Sequence, residues 1–258
     1  MSVKQMVEGT CVVDTEGNAD LVQVVFPILH GPFGEDGTIQ GLLEMAGVRY
    51  VGCGVAASAN CMDKHLTKMI LAEAGVLVGP YLVVRDHEWR QDKNGVLKAA
   101  SRLQYPLFVK PARGGSSIGI SRVTSPEGLE AAIETARDHD SKVLIEQGIH
   151  GREIECSVLD GRHGAAPRAS LPGEIVVHDP DGFYDFEAKY LSGEQKASVQ
   201  SRAELDDATR IRVQNVAIKA FRVLGCEGLA RIDTFVTPDG AVYVNEPNTM
   251  PLSLIHIS

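Results

Sequence analysis

The stretch that most limits what this chain can fold into runs from Arg231 to Asn248, RIDTFVTPDGAVYVNEPN. Two runs of strand-forming residues flank Asp239-Gly240. That pair predicts a two-residue hairpin turn, because glycine, and more weakly aspartate, tolerates the positive φ such turns need. Counting back from the turn, Pro238 faces Ala241, Asp233 faces Glu246 and Arg231 faces Asn248. Side chains alternate along a strand, so Arg231, Asp233, Glu246 and Asn248 share one face. Ile232, Thr234, Val236 and Tyr243 are assigned to the other, more apolar face.

Two carboxylates directly opposite sit roughly 5 Å apart and repel. A divalent cation between them removes that cost. Oxygen-only ligands from Asp, Glu and Asn suit Mg²⁺, which is held by few protein groups plus substrate phosphates. A solvated hairpin face also collects acids. An apolar opposite face, with an arginine and an asparagine beside the acids, favours the metal reading.

A second feature suits phosphate. LFVKP (107–111) reads as a strand ending in Lys110, followed by the loop ARGGSSIG (112–119). Gly and Ser let backbone N–H groups approach an anion closely. A lysine ending an apolar strand must find a partner. The order G-x-x-x-x-G-K-S is absent, so this is not a P-loop. Glu146 ends the strand KVLIEQ (142–147), and Glu153 follows after a glycine-bearing turn; acids there can hold ribose hydroxyls or simply face solvent. Lys64 alone is uninformative.

The remaining chain alternates helix and strand signals. LVQVVFPIL (21–29) predicts a buried strand. The glycine-punctuated loop HGPFGEDG (30–37) leads to a helix over 38–46 with Ile39, Leu42, Leu43 and Ala46 at helical spacing, then a strand at 48–52. A helix over 63–74 carries Leu66, Met69 and Ile70 as its apolar side. Ser125-Pro126-Glu127 predicts a helix start with a capping serine, and Leu129, Ala132, Ile133 and Ala136 form its stripe. REIECSVLD (152–160) alternates as a one-sided strand. Residues 178–202 read as a long functional loop, and a long helix covers about 204–224. Domain boundaries fall near 60 and 150.

Formal charge is −9, from 25 Lys+Arg against 34 Asp+Glu, with no basic block. A nucleic-acid partner is not expected. No apolar run approaches the ~18 residues of a membrane span, and no signal pattern opens the chain. Five scattered cysteines without a C-x-x-C pair predict free thiols in a reducing, cytoplasmic setting.

Six motifs in order, HGPFGEDGTIQGLLE (30–44), CMDK (61–64), FVKPARGGSSIG (108–119), FYDFEAKY (183–190), ARID (230–233) and NEPNTMP (245–251), resemble the D-alanine–D-alanine ligases. The resemblance implies an ATP-grasp fold of α/β and α+β parts. Residues 1–60 would form a partial N-terminal Rossmann-like (preATP-grasp) domain, 61–150 the central ATP-grasp subdomain, and 151–258 an incomplete C-terminal one. It implies ATP as co-substrate, two Mg²⁺ ions (Mn²⁺ as a substitute), D-alanine as substrate and a homodimer.

Lys64 and Lys110 would contact ATP phosphates. Ser116 and Ser117 lie in the loop closing over them, and Glu146 and Glu153 become adenosine contacts. Asp233, Glu246 and Asn248 match the magnesium ligands, and Arg231 the cation at the charged reaction centre. Lys189 and Tyr190 match the loop that folds over the site, with Glu187 structural there, and His30 and the acidic turn that follows it match the first-substrate side. A tyrosine at 190 goes with D-alanine as second substrate. The implied chemistry is phosphorylation of one D-alanine carboxylate, then attack by the amine of a second, for peptidoglycan precursors.

Residues 1–20 do not resemble the family's first strand and glycine turn. After Pro251, LSLIHIS departs from its pattern. The expectation is a chain that binds Mg·ATP and forms little dipeptide. A catalytically incomplete ATP-binding fragment and another ATP-grasp carboxylate–amine ligase are the alternatives.

Overall fold

A computed structural model describes residues 2–6, 9–13, 19–21, 23–115, 117–177 and 197–251. The chain opens with an antiparallel meander of β1 (Ser2–Met6), β2 (Gly9–Val13) and β3 (Ala19–Leu21). Sequence reasoning assigned no strands there. The buried strand expected at 21–29 is reduced to β4 (Val24–Val25), which pairs in parallel with β5 (Arg49–Tyr50) across α1 (Thr38–Met45). Phe26, Ile28 and Leu29 are about half exposed. An apolar run forms a strand only as far as a neighbouring strand offers hydrogen bonds, and here that neighbour is two residues long.

Two larger sheets follow. The first is four-stranded, in the order β6 (Tyr81–Arg85), β9 (Lys142–Gln147), β7 (Leu107–Pro111), β8 (Ser121–Val123), all antiparallel. Helices α4 (Asp86–Gln91), α5 (Lys93–Ala100) and α6 (Leu129–Arg137) accompany it. Its core gathers Trp89, Leu107, Val109, Ile133 and Ile145. The expected α6 stripe of Leu129, Ala132, Ile133 and Ala136 is the face that is buried. Pro126–Gly128 is a 3₁₀ turn leading into it. Ser125 makes no capping bond to the backbone, its hydroxyl meeting the Glu127 carboxylate instead.

The second sheet runs β13 (Ala197–Gln200), β12 (Gly173–Val177), β10 (Arg152–Leu159), β14 (Leu229–Val236), β15 (Val242–Asn248), with β11 (Arg168–Ala169) also on β10. Helix α7 (Asp207–Val223), capped by Asp206, lies on it. The loop expected at 178–202 thus ends in a strand; residues 178–196 lie outside the described residues. Ile154, Cys156 and Val158 of β10 enter a core with Val213, Phe221, Ile232 and Val244.

Helices α2 (Val55–Met62), which sequence reasoning missed, and α3 (Lys64–Glu73) feed this same core through Ala57, Cys61 and Leu71. Helix α3 buries Thr67, Lys68 and Leu71, whereas Leu66 and Met69 of the expected apolar side face solvent. The four described cysteine side chains, Cys53, Cys61, Cys156 and Cys226, are free and buried.

The hairpin reaches the expected pairing by an unexpected route. Its loop has three residues, not two: the Thr237 N–H donates to the Ala241 carbonyl, and Gly240 adopts φ +79°. Glycine there completes a turn that other residues resist. That shifts the register by one, so Phe235 faces Tyr243 and Thr234 faces Val244. A bulge between Asp233 and Thr234, with Asn245 as the extra residue, shifts it back. Asp233 then faces Glu246 and Arg231 faces Asn248, as expected. Tyr243 is corrected: as the partner of Phe235 it lies on the acids' face, not the apolar one.

Candidate active site

The two larger sheets face each other across a cleft of about 490 Å³. Phe108, Lys110 and Glu146 line it from one sheet, and Glu153, Phe235 and Glu246 from the other, with Lys64 and Lys68 between. A smaller recess adjoins it, lined by His30, Glu35, Lys64, Gly114, Ser117, Glu246 and Asn248. Lys64, Ser117 and Glu246 belong to both.

Lys64 owes its position to Asp63. The Asp63 carboxylate accepts from the N–H groups of His65 and Leu66 at 3.1 and 3.2 Å, capping α3. It also pairs with Lys142. The Lys64 N–H donates to the Ala112 carbonyl, and its ammonium to the Gly114 carbonyl at 2.8 Å. The root of the glycine loop is held from behind as well. Asp140 accepts from the Arg113 N–H at 2.8 Å and from its guanidinium at 2.6 and 3.0 Å. Ser117 adopts φ +59° in this loop; Ser116 lies outside the described residues.

Lys110 donates to Glu146 at 2.7 Å. The second oxygen of Glu146 is 3.3 Å from the Lys68 ammonium. Burial alone would raise the Glu146 carboxyl, but Lys110 and Lys68 together hold it down at about 2. Burial pulls Lys64 below the usual lysine range, with Lys110 adding to the effect and Glu246, 4.0 Å away, opposing it. Lys110 goes the other way: burial opposes its charge, and Glu146 and Glu246 outweigh that. Glu153 lines the cleft with them.

On the hairpin, Arg231 forks Asp233 at 2.6 and 2.7 Å and reaches Glu155 at 3.1 Å. Burial works against its charge, and Asp233 chiefly overcomes that, so the guanidinium stays ionised. The Asn248 amide donates to Asp233 at 2.8 Å. The repulsion expected between Asp233 and Glu246 is therefore met here by Arg231 and Lys64. Among the described residues no three His, Cys, Asp or Glu side chains gather as a metal site. The candidate set is two carboxylates and one amide. His30 pairs with buried Glu35 at 2.9 Å, and that hydrogen bond raises its pKa against the lowering effect of burial.

The structure thus brings together Lys64, Lys110, Ser117, Glu146, Glu153, Glu246, Asn248, Asp233, Arg231 and His30. Lys189 and Tyr190, with Glu187, lie outside the described residues. Sequence reasoning missed Lys68, Glu155 and Asp63, and placed Glu35 only within the acidic turn that follows His30. Lys68 carried one signal, its i,i+4 spacing from Lys64 on one helix.

Comparison with known proteins decides the lineage. Residues 70–254 match the family model for the C-terminus of D-ala D-ala ligase, and residues 3–53 the model for its N-terminus. The chain belongs to the D-alanine–D-alanine ligase family. The N-terminal match begins at residue 3, so the family resemblance extends into the stretch 1–20 that the motifs left out. A D-alanine–D-alanine ligase of Pseudarthrobacter chlorophenolicus is 58% identical over 231 residues, 89% of this chain and 60% of that protein. One of Kocuria rhizophila is 54% identical, over 89% and 60%. The chain spans about three fifths of the length of these relatives.

Among solved structures, the Coxiella burnetii D-alanine–D-alanine ligase superposes with TM-score 0.76 at 37% identity, over 90% of this chain and 60% of that one. The VanG D-Ala:D-Ser ligase of Enterococcus faecalis gives 0.80 at 35%, over 95% and 72%. This family has the ATP-grasp fold. No helix among the described residues is long and apolar enough to cross a membrane.

Proposed function

We propose, in place of the expectation of little dipeptide and because the family match reaches from residue 3 to residue 254, that this chain carries out ATP-dependent joining of two D-alanines to D-alanyl-D-alanine, through an acyl phosphate, as a step toward peptidoglycan precursors. The observation that carries this reading is the cleft lined by Lys64, Lys68, Lys110 and Glu246, which adjoins the recess lined by Glu246 and Asn248, with Asp233 paired to Glu246 across the hairpin. Lys64 and Lys110 supply positive charge for ATP phosphates, and the N–H groups of the loop 112–119 supply donors. Glu146 and Glu153 serve the adenosine. Asp233, Glu246 and Asn248 are oxygen donors of the kind Mg²⁺ or Mn²⁺ prefers, and they fit a cation once Arg231 yields its hold on Asp233. A bound cation would neutralise the charge on the phosphate oxygens.

A carboxylate oxygen of one D-alanine attacks the terminal phosphorus, and ADP leaves. The amine of the second D-alanine attacks the acyl carbon, phosphate leaves, and the amine loses a proton. Arg231, held from behind by Glu155, faces the charge that develops at that carbon. His30 and Glu35 serve the first-substrate side. Lys189 and Tyr190 belong to the covering loop, and Ser116 and Ser117 to the phosphate loop. The three-part domain division, a homodimer and a cytoplasmic location belong to the same proposal.

Relatives named D-alanine–D-alanine ligase support D-alanine as the second substrate. The D-Ala:D-Ser neighbour makes D-serine the competitor to test. The experiment is D-alanine-dependent phosphate release from ATP, with D-alanyl-D-alanine read by mass spectrometry. Dipeptide formation supports the reading. Nucleotide binding without D-alanine-dependent phosphate release refutes ligation by this chain.

A further inference from the structure

Lys68 has no part in the chemistry above, yet it is among the most enclosed charged groups of the cleft, its side chain 4% exposed. It stands on α3 one turn beyond Lys64. Its ammonium is 3.3 Å from one oxygen of Glu146 and lies over the Tyr81 ring, 5.8 Å from the centroid. The other Glu146 oxygen takes Lys110. Two ammonium groups therefore share one carboxylate that is itself only 9% exposed.

We infer that Lys68 is the counter-ion that retains Glu146 while Lys110 turns to a bound phosphate, a positioning role resting on the nucleotide reading of the cleft. A buried carboxylate abandoned by its partner is strongly penalised. With Lys110 as sole partner, Glu146 would compete with the phosphate for that lysine. With Lys68 on the second oxygen, Lys110 can leave and Glu146 stays paired. The two lysines also leave the group one positive charge in surplus, which favours an incoming anion. Lys68 is suited to stay rather than leave: it is on a helix, more enclosed than Lys110, and flanked by an aromatic face. Burial lowers its pKa, and Glu146 offsets part of that.

The test compares ADP with adenosine, which lacks the phosphates, by calorimetry. Lys68→Met should lower the ADP-to-adenosine affinity ratio about tenfold, a size consistent with disturbing a buried charge pair. Lys68→Arg should keep the ratio near that of the wild type. Glu146→Gln releases Lys110, so it should raise the ratio by itself and restore it in the Lys68→Met, Glu146→Gln pair. An unchanged ratio in Lys68→Met, a pair that does not recover, or a fall in Glu146→Gln alone would overturn the inference. Should Lys68→Met not fold, Glu146→Gln and Lys68→Arg still decide it. Wild-type chain that binds neither compound would remove the nucleotide reading itself; binding with an unmoved ratio removes only the role of Lys68.

Discussion

Asp63 ties stability to the site, and its removal can be worked through. Its carboxylate caps α3 and pairs with Lys142, both at the foot of Lys64. Loss of an N-cap costs about 1 kcal/mol. Lys142 is mostly buried, and leaving it without its partner costs about 1–2 kcal/mol more. Asp63→Ala should therefore lose about 2–3 kcal/mol, or about 4–12 °C in Tm for a chain of this size.

Asp63→Asn separates the two contributions. Asparagine caps a helix as well as aspartate does but offers Lys142 no charge, so about half the loss should remain. Scanning calorimetry measures the stabilities, and ADP titration measures the consequence for Lys64, whose turn frays with the cap. ADP affinity should fall more in Asp63→Ala than in Asp63→Asn. Equal stability of Asp63→Ala and the wild type, or identical behaviour of the two variants, would refute the reasoning.

Other outcomes follow from the same geometry. Lys110→Met should weaken ADP binding about tenfold or more while barely moving adenosine; equal losses for both would show a distorted cleft instead. Gly119 has φ +71°, and a Cβ there would lie 2.4 Å from the His139 ring. Gly119→Ala should thus cost about 1–3 kcal/mol in denaturant unfolding, and a neutral variant would contradict the backbone geometry. His30 has a raised pKa because Glu35 hydrogen-bonds it. Its contribution is complete below the unfolded value of about 6.5 and is lost as pH climbs through the raised folded value. His30→Gln should therefore flatten the fall in Tm above that pH, and an unaltered profile would exclude the pair as its cause.

What was legible in the sequence was what local physics decides. The α6 stripe, the ends of β7 and β9, and the alternation of β10 follow from periodicity and strand propensity within a few residues. The acid pair was legible for a different reason. A two-residue turn and an uninterrupted ladder give the same partners as a three-residue loop and one bulge, since the two shifts cancel. The cancellation is incomplete between them, which is why Tyr243 was put on the wrong face.

Helix α3 was misread because hydrophobic spacing cannot register a lysine that is buried only because Glu146 arrives from a distant strand. Glu155 escaped notice for a similar reason: its place against Arg231 depends on the pairing of β10 with β14. The stretch at 21–29 looked like a core strand by composition, but burial depends on what covers a strand, and the run itself does not encode that.

The most direct test of the central claim is ADP titration with and without Mg²⁺, in the wild type and in a chain carrying Asp233→Ala and Glu246→Ala. Mg²⁺ should tighten ADP in the wild type, and the double variant should lose that gain while keeping its metal-free affinity. A wild type indifferent to Mg²⁺, or a double variant that responds to it as the wild type does, would contradict the placement of the cation on this hairpin.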